Sequence, residues 1–153
     1  MERLATLELG ELRTRVTLMA LAALSALLVD FVSKTVAVAV EPDPLLFHIS
    51  DRGAFGPGAA VILLAAAGSL LACVLPVRMI AICAGLALGG SLGNLTSRHW
   101  WGDLGGSPDF IRFTDGSTGN LADLSIASGA GGMLLGAFAW LLWTTFGSGR
   151  GAG

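Results

Sequence analysis

Four apolar runs divide the chain, at residues 16–40, 58–75, 79–95 and 122–146. Each approaches the roughly 20 residues that a helix needs to cross a bilayer. The only charged residues in the first run are Asp30 and Lys34. Between the second and third, Pro76 and Arg78 mark a tight turn, because Pro ends a helix or sits just past its end. Two polar segments, 41–57 and 98–121, are rich in Gly, Pro, Asp and Ser and read as loops or short extended structure. The pattern therefore predicts an all-α membrane protein, a four-transmembrane-helix bundle over residues 16–146 with two extracytoplasmic loops. A segment 1–15 precedes the bundle, and a small-residue tail, 147–153, is expected to be disordered. Periodicity leaves the loops open between a small β/loop subdomain and a surface helix.

A removable signal peptide competes for the first run. Arg13 and Arg15 would form its charged start, residues 16–29 its apolar core and Ala37-Val38-Ala39 its cleavage site. Asp30 and Lys34, so close to that site, weigh against it.

Composition narrows the class further. Of 153 residues, 54% are hydrophobic and 13% charged, with mean hydropathy +0.74. A soluble domain carries about 25% charged residues, so this chain lacks the polar surface such a domain needs, and it is too apolar to be disordered. A net charge of −2 without a basic stripe gives no case for a nucleic-acid partner. Arg3, Arg13, Arg15, Arg78 and Arg150 fall on one side of the bundle and Arg52, Arg98 and Arg112 on the other. That bias places both termini in the cytoplasm. Cys73 and Cys83 then flank a turn on the reducing side and are expected as free thiols. His48 and His99 are isolated, Gly89-Gly90-x-x-Gly93 lies inside an apolar span, and no metal site or cofactor is expected. Trp100 and Trp101 suit the aromatic belt at the outer surface.

Small residues recur every four positions at Gly85, Gly89 and Gly93, and again at Ser128, Gly132 and Gly136. Such faces let helix backbones approach closely, and the expectation is close contact between the third and fourth spans. The same faces could serve a second copy, so oligomeric state stays open.

Ionisable residues inside a span are costly and point to function. At 1.5 Å per residue, Asp30 lies roughly 21 Å along the helix from Val16, and Asn94 roughly 24 Å along from Arg78. Asp123 opens the fourth span at the same boundary. Asp30, Lys34, Asn94, Arg98, Asn120 and Asp123 can thus converge at one level near the outer surface, and Asp109 can fold back onto them. Each has a plainer reading: Asp30 and Lys34 as a neutralising i,i+4 pair, Asn120 as a helix cap, Arg98 as a headgroup anchor.

Taken together these residues resemble the lipoprotein signal peptidase (signal peptidase II) family of bacterial intramembrane aspartic peptidases. Asp30-Phe31-Val32-Ser33-Lys34 is similar to the family's Asp-x-x-Ser-Lys, and Asp51-Arg52-Gly53-Ala54-Phe55 to its Asn-x-Gly-Ala-Ala-Phe element. Gly89-Gly90-Ser91-Leu92-Gly93-Asn94-Leu95-Thr96-Ser97-Arg98 follows Gly-Gly-x-x-Gly-Asn-x-x-Asp-Arg, with Ser97 in place of Asp. Asp109-Phe110-Ile111 matches the core of Val-x-Asp-Phe-Ile, and Asn120-Leu121-Ala122-Asp123 fits Asn-x-Ala-Asp. The resemblance implies Asp109 and Asp123 as the catalytic carboxylates, and Asn94, Arg98 and Asn120 as holders of the substrate backbone. Asp30, Lys34 and Ser97 would support them. It implies as partners a lipid-modified prolipoprotein, cut just before its diacylglyceryl Cys, and membrane lipid. The setting would be the bacterial cytoplasmic membrane, with the site at the outer leaflet.

Two departures define the alternatives. Ser97 removes a carboxylate beside Arg98, and the spacings around Asp109 differ from the family pattern. They suit a homologue that binds acylated signal peptides or a membrane partner without cleavage. Asp30, Lys34 and Asp123 as a proton relay in a small transporter is a further class, although all three lie toward one side. Ser97 and Lys34, if adjacent, could also form a nucleophile–base couple.

Overall fold

The first helix begins well before its apolar run. In a computed structural model, which describes residues 2–40, 48–50, 67–69, 72, 75–101 and 106–147, α1 spans Glu2–Ala39. Residues 2–15 are rich in Leu, Glu and Arg and lack Pro, so intrinsic propensity carries the helix through the segment expected to precede the span. Its apolar stretch, Glu8–Ala39, has 32 residues. At 1.5 Å each that is about 48 Å, well over a hydrocarbon core of about 30 Å. α2 covers Arg78–Trp100, entered from Val77 in extended conformation just after Pro76. It outruns the expected 79–95 and so carries Asn94, Ser97 and Arg98 on regular helix. α3 covers Leu121–Leu142 and passes into a π-helical turn, Trp143–Gly147.

Three of the described helical stretches are long and apolar enough to cross a membrane: Glu8–Ala39, Arg78–Trp100 and Leu121–Gly147. Most of the expected span 58–75 lies outside the described residues, as do the Asp51–Phe55 element, Cys73 and the tail 148–153. Within that span residues 67–69 and 72 are helical.

α2 is the central element, with 56% of its apolar window buried against 22% for α1 and 6% for α3. The expected close contact with the last helix is present, but the glycines serve two neighbours, and Gly85 and Gly89 face α1. A Cβ at Gly85 or Gly89 would overlap the α1 backbone at Met19 or Ala23. Gly90 instead faces Ala122, Ser125 and Ile126 of α3. From the α3 side the close approaches are Gly129 to Cys83 and Ala87, Gly132 to Cys83 and Gly136 to Ile80. Ser128 is exposed and donates to Leu124 O. A helix held between two partners needs small residues on two faces, and a four-residue repeat marks only one of them. Cys83 is a free thiol.

The polar segments contain strands. β1 (His48–Ser50) pairs antiparallel with β2 (Ser107–Asp109), with His48 opposite Asp109 and Ser50 opposite Ser107. β3 (Ile111–Arg112) pairs with β4 (Thr118–Gly119) across a turn in which Gly116 has φ +85°. Asp115 accepts from the Ser117 backbone N–H at 3.0 Å and from its hydroxyl at 2.7 Å. These hydrogen bonds hold the Asp115 carboxyl below its ordinary range. Phe110 N–H donates to Gly119 O at 2.9 Å, so β2 and the hairpin lead directly into the start of α3.

Candidate active site

Burying an ammonium in an apolar bundle requires that its donors be met. Lys34 is 0% exposed and has three donors. Its Nζ donates to Asp30 Oδ2 at 2.7 Å, to Ser97 Oγ at 2.8 Å and to Asn94 Oδ1 at 3.1 Å. The first partner lies one turn earlier on α1, and the other two lie one turn apart on α2. The i,i+4 spacing of Asp30 and Lys34 thus makes a buried ion pair that also ties the two helices together.

The network continues into α3. Asp30 Oδ1 accepts from Ala122 N–H at 2.8 Å, meeting one of the donors that a helix start leaves open. Asn94 Nδ2 donates to Asp123 Oδ1 at 2.8 Å. Asn120 caps α3 by accepting from Asp123 N–H at 3.2 Å, and its own N–H donates to Asp123 Oδ2 at 3.0 Å. This is a reciprocal capping box with Asp in the third position. Both Asp123 oxygens therefore receive donors.

Asp109 arrives from β2 and is 7% exposed. Asn120 Nδ2 donates to Asp109 Oδ1 at 2.6 Å, with a longer approach of 3.4 Å to Ser107 Oγ. One asparagine thus bonds both aspartates, one through its side chain and the other through its backbone. The two carboxylates open onto a polar cleft of about 190 Å³ with Asn94, Arg98, Phe113 and Thr118 around it. Arg98 Nε and Nη1 are buried beside that cleft without a hydrogen-bond partner among the described residues.

All eight residues singled out from the sequence fall on described residues and gather at one end of the bundle. Asp30, Lys34, Asn94, Ser97, Asn120, Asp123 and Asp109 form a continuous hydrogen-bonded set, and Arg98 borders it. Ser97 and Lys34 are adjacent, but Ser97 donates its hydrogen to Gly93 O at 2.6 Å and is 2% exposed. A nucleophile would donate toward its base, so the polarity is reversed. Phe113, Thr118 and Ser107 also line the cleft. The sequence does not mark them, because short strands give no periodic signal. Phe31 packs on Trp100 and Trp101 with centroids 5.7 and 5.5 Å apart, an aromatic cluster at this same end.

Membrane-length helices gripping two aspartates over a polar cleft at one end define a class: integral-membrane proteins with a buried acidic centre. The comparisons are specific about which. The model of the signal peptidase (SPase) II family matches residues 22–139, most of the chain and every helix that contributes to the centre. The chain belongs to that peptidase family and is a membrane protein. Two solved structures of bacterial membrane enzymes, obtained by the in meso method at 2.3 and 1.9 Å, share its fold. The first has TM-score 0.61 and 19% identity over 82% of this chain and 88% of the other. The second has 0.58 and 18% over 78% and 91%. No curated protein sequence matches the chain.

Proposed function

We propose that the protein is an aspartic endopeptidase that removes signal peptides from diacylglyceryl-modified prolipoproteins. The observation that carries this reading is the joining of Asp109 and Asp123 through Asn120 at one open cleft. Two carboxyl groups that share a site hold one proton between them, because both cannot ionise together. The ionised one takes a proton from water as the water oxygen attacks the scissile carbonyl carbon. The protonated one hydrogen-bonds the carbonyl oxygen and then gives its proton to the leaving amine as the C–N bond breaks. Water and two carboxylates suffice, and no cofactor enters the reading.

Arg98 suits the substrate's carbonyl groups, since its buried Nε and Nη1 have no partner among the described residues. Asn94 and Asn120 hold the walls of the cleft. The setting is the bacterial cytoplasmic membrane, with both termini cytoplasmic and the centre at the outer leaflet, where a lipidated substrate keeps its acyl chains. Residues 58–75 supply the fourth span, and the outer strands form a small subdomain over the cleft.

The test is cleavage of a diacylglyceryl-modified precursor peptide by the detergent-solubilised protein. Asp109→Asn and Asp123→Asn are each expected to lower turnover by about 1,000-fold or more. Turnover by the unaltered protein that survives both substitutions overturns the reading.

One observation favours a second reading. Ser97 directs its hydroxyl to Gly93 and accepts from Lys34, so it gives Arg98 nothing. A binder that holds the acylated peptide without cutting it would show lipopeptide affinity, no product, and no response to Asp109→Asn.

A further inference from the structure

The chain has two asparagines, Asn94 and Asn120, and no glutamine, so all its side-chain carboxamides lie in this one centre. A carboxamide can turn half round and exchange its oxygen for its nitrogen. At Asn94 that turn would be costly at both ends. Oδ1 faces the Lys34 ammonium at 3.1 Å and Nδ2 faces Asp123 Oδ1 at 2.8 Å. Turned round, an NH₂ would meet an ammonium and an oxygen would meet a carboxylate.

The ammonium is itself fixed. Asp30 holds it at 2.7 Å and Ser97 at 2.8 Å, and Ser97 spends its hydrogen on Gly93 O, which leaves a lone pair toward Lys34. A directed path of donors therefore runs from Lys34 through Asn94 to Asp123. Asp30 adds a parallel route, because its other oxygen holds Ala122 N–H, one residue before Asp123.

We propose that Lys34 is a positioning residue for Asp123, acting through the Asn94 carboxamide, which it keeps turned so that a donor and not an acceptor faces the carboxylate. The consequence for turnover rests on the peptidase reading; the orientation itself does not. Asn94 then serves Asp123 and is not chiefly a contact for the substrate backbone.

The experiment is a ¹⁵N NMR spectrum of the full chain in micelles, where two side-chain carboxamide pairs are present. Asn94→Asp removes one pair and so assigns it. In the unaltered protein Asn94 is expected to give a single sharp pair. In Lys34→Met that pair is expected to split or broaden as the carboxamide samples both orientations. Should Lys34→Met fail to fold, Asp30→Thr combined with Lys34→Met removes both buried charges together and carries the same expectation. An Asn94 pair that stays single and unshifted in the folded variant overturns the proposal, whether or not the protein cleaves anything. The kinetic arm uses Asn94→Asp, which keeps an acceptor for Lys34 but turns an oxygen on Asp123. It is expected to lower kcat about 100-fold while KM and lipopeptide affinity stay within about twofold. Weakened affinity with kcat retained would make Asn94 a substrate contact and overturn the proposal. A lack of cleavage by the unaltered protein removes the peptidase reading and leaves the spectrum to decide the positioning role.

Discussion

Two ion pairs join or brace the same helices at opposite ends of the bundle, and their bond lengths are the same. Lys34–Asp30 and Arg78–Glu11 both close at 2.7 Å. The first is fully buried, whereas the side chains of the second are 59% and 54% exposed. Distance alone would rank them equal, and environment separates them. The buried ammonium has every donor matched within the protein, and two of the matches, through Asn94 and Asp30, lead toward Asp123. The exposed pair competes with water, and near it Arg15 Nη1 holds Leu75 O at 2.6 Å. One end of the bundle is specified by a polar network and the other is fastened at its surface.

The contrast can be broken by unequal responses to equal substitutions. The largest stability effect is expected at the buried pair. Removing one charge leaves the other uncompensated, so Lys34→Met should cost about 3–5 kcal/mol in unfolding equilibria. A smaller loss in detergent would mean that water enters the pair. Next comes the seam beside it. Gly89→Leu forces a side chain into the Ala23 backbone and should cost about 1–3 kcal/mol, read by thermal melting.

Asn120→Ala sharpens the contrast by separating stability from activity. The lost cap should cost about 0.5–2 kcal/mol, while turnover falls about 100-fold because Asp109 and Asp123 lose their common partner. Parallel melting and cleavage assays check this, and a fall in stability alone would leave the bridge without a role in turnover. At the exposed end, Glu11→Gln should leave the melting temperature unchanged within error, since surface pairs contribute little.

A small effect that depends on pH is expected at Asp115, outside the spans. Its carboxyl is lowered by the Ser117 hydrogen bonds, so its contribution is complete above the ordinary Asp range and is lost as pH falls through the lowered value. Asp115→Asn should therefore be slightly less stable than the unaltered chain near neutral pH, with the difference vanishing in acid. Melting curves at about pH 7 and at successively lower pH decide it, the difference narrowing below the ordinary Asp range.

Much of this centre is legible in the amino-acid sequence. Counting 1.5 Å per residue along three helices places Asp30, Asn94 and Asp123 at one level, and the structure bonds them together. The Asn120 cap is readable from residue type and position. What the residues do not tell is rotation about each helix axis. Gly85 and Gly89 look like a seam for the last helix and serve the first, because a repeat marks a face and not the neighbour that covers it. The same limit hides the Asn94 carboxamide, whose partners depend on how α1 and α3 are turned. Ser107-Pro108-Asp109 carries no local sign of a strand, since its partner lies about 60 residues earlier and Pro is a poor strand former. Only the family resemblance marks Asp109 out.

The capping box at Asn120 has a consequence for when the protein can act. The atoms that begin α3 are also those that bring the two acids to a common point. A chain still threading into the bilayer, with that first turn unwound, carries its acids separately and without effect. On the peptidase reading proposed above, hydrolysis would then begin only once this first turn is wound, so that folding and activation are a single event at one helix start.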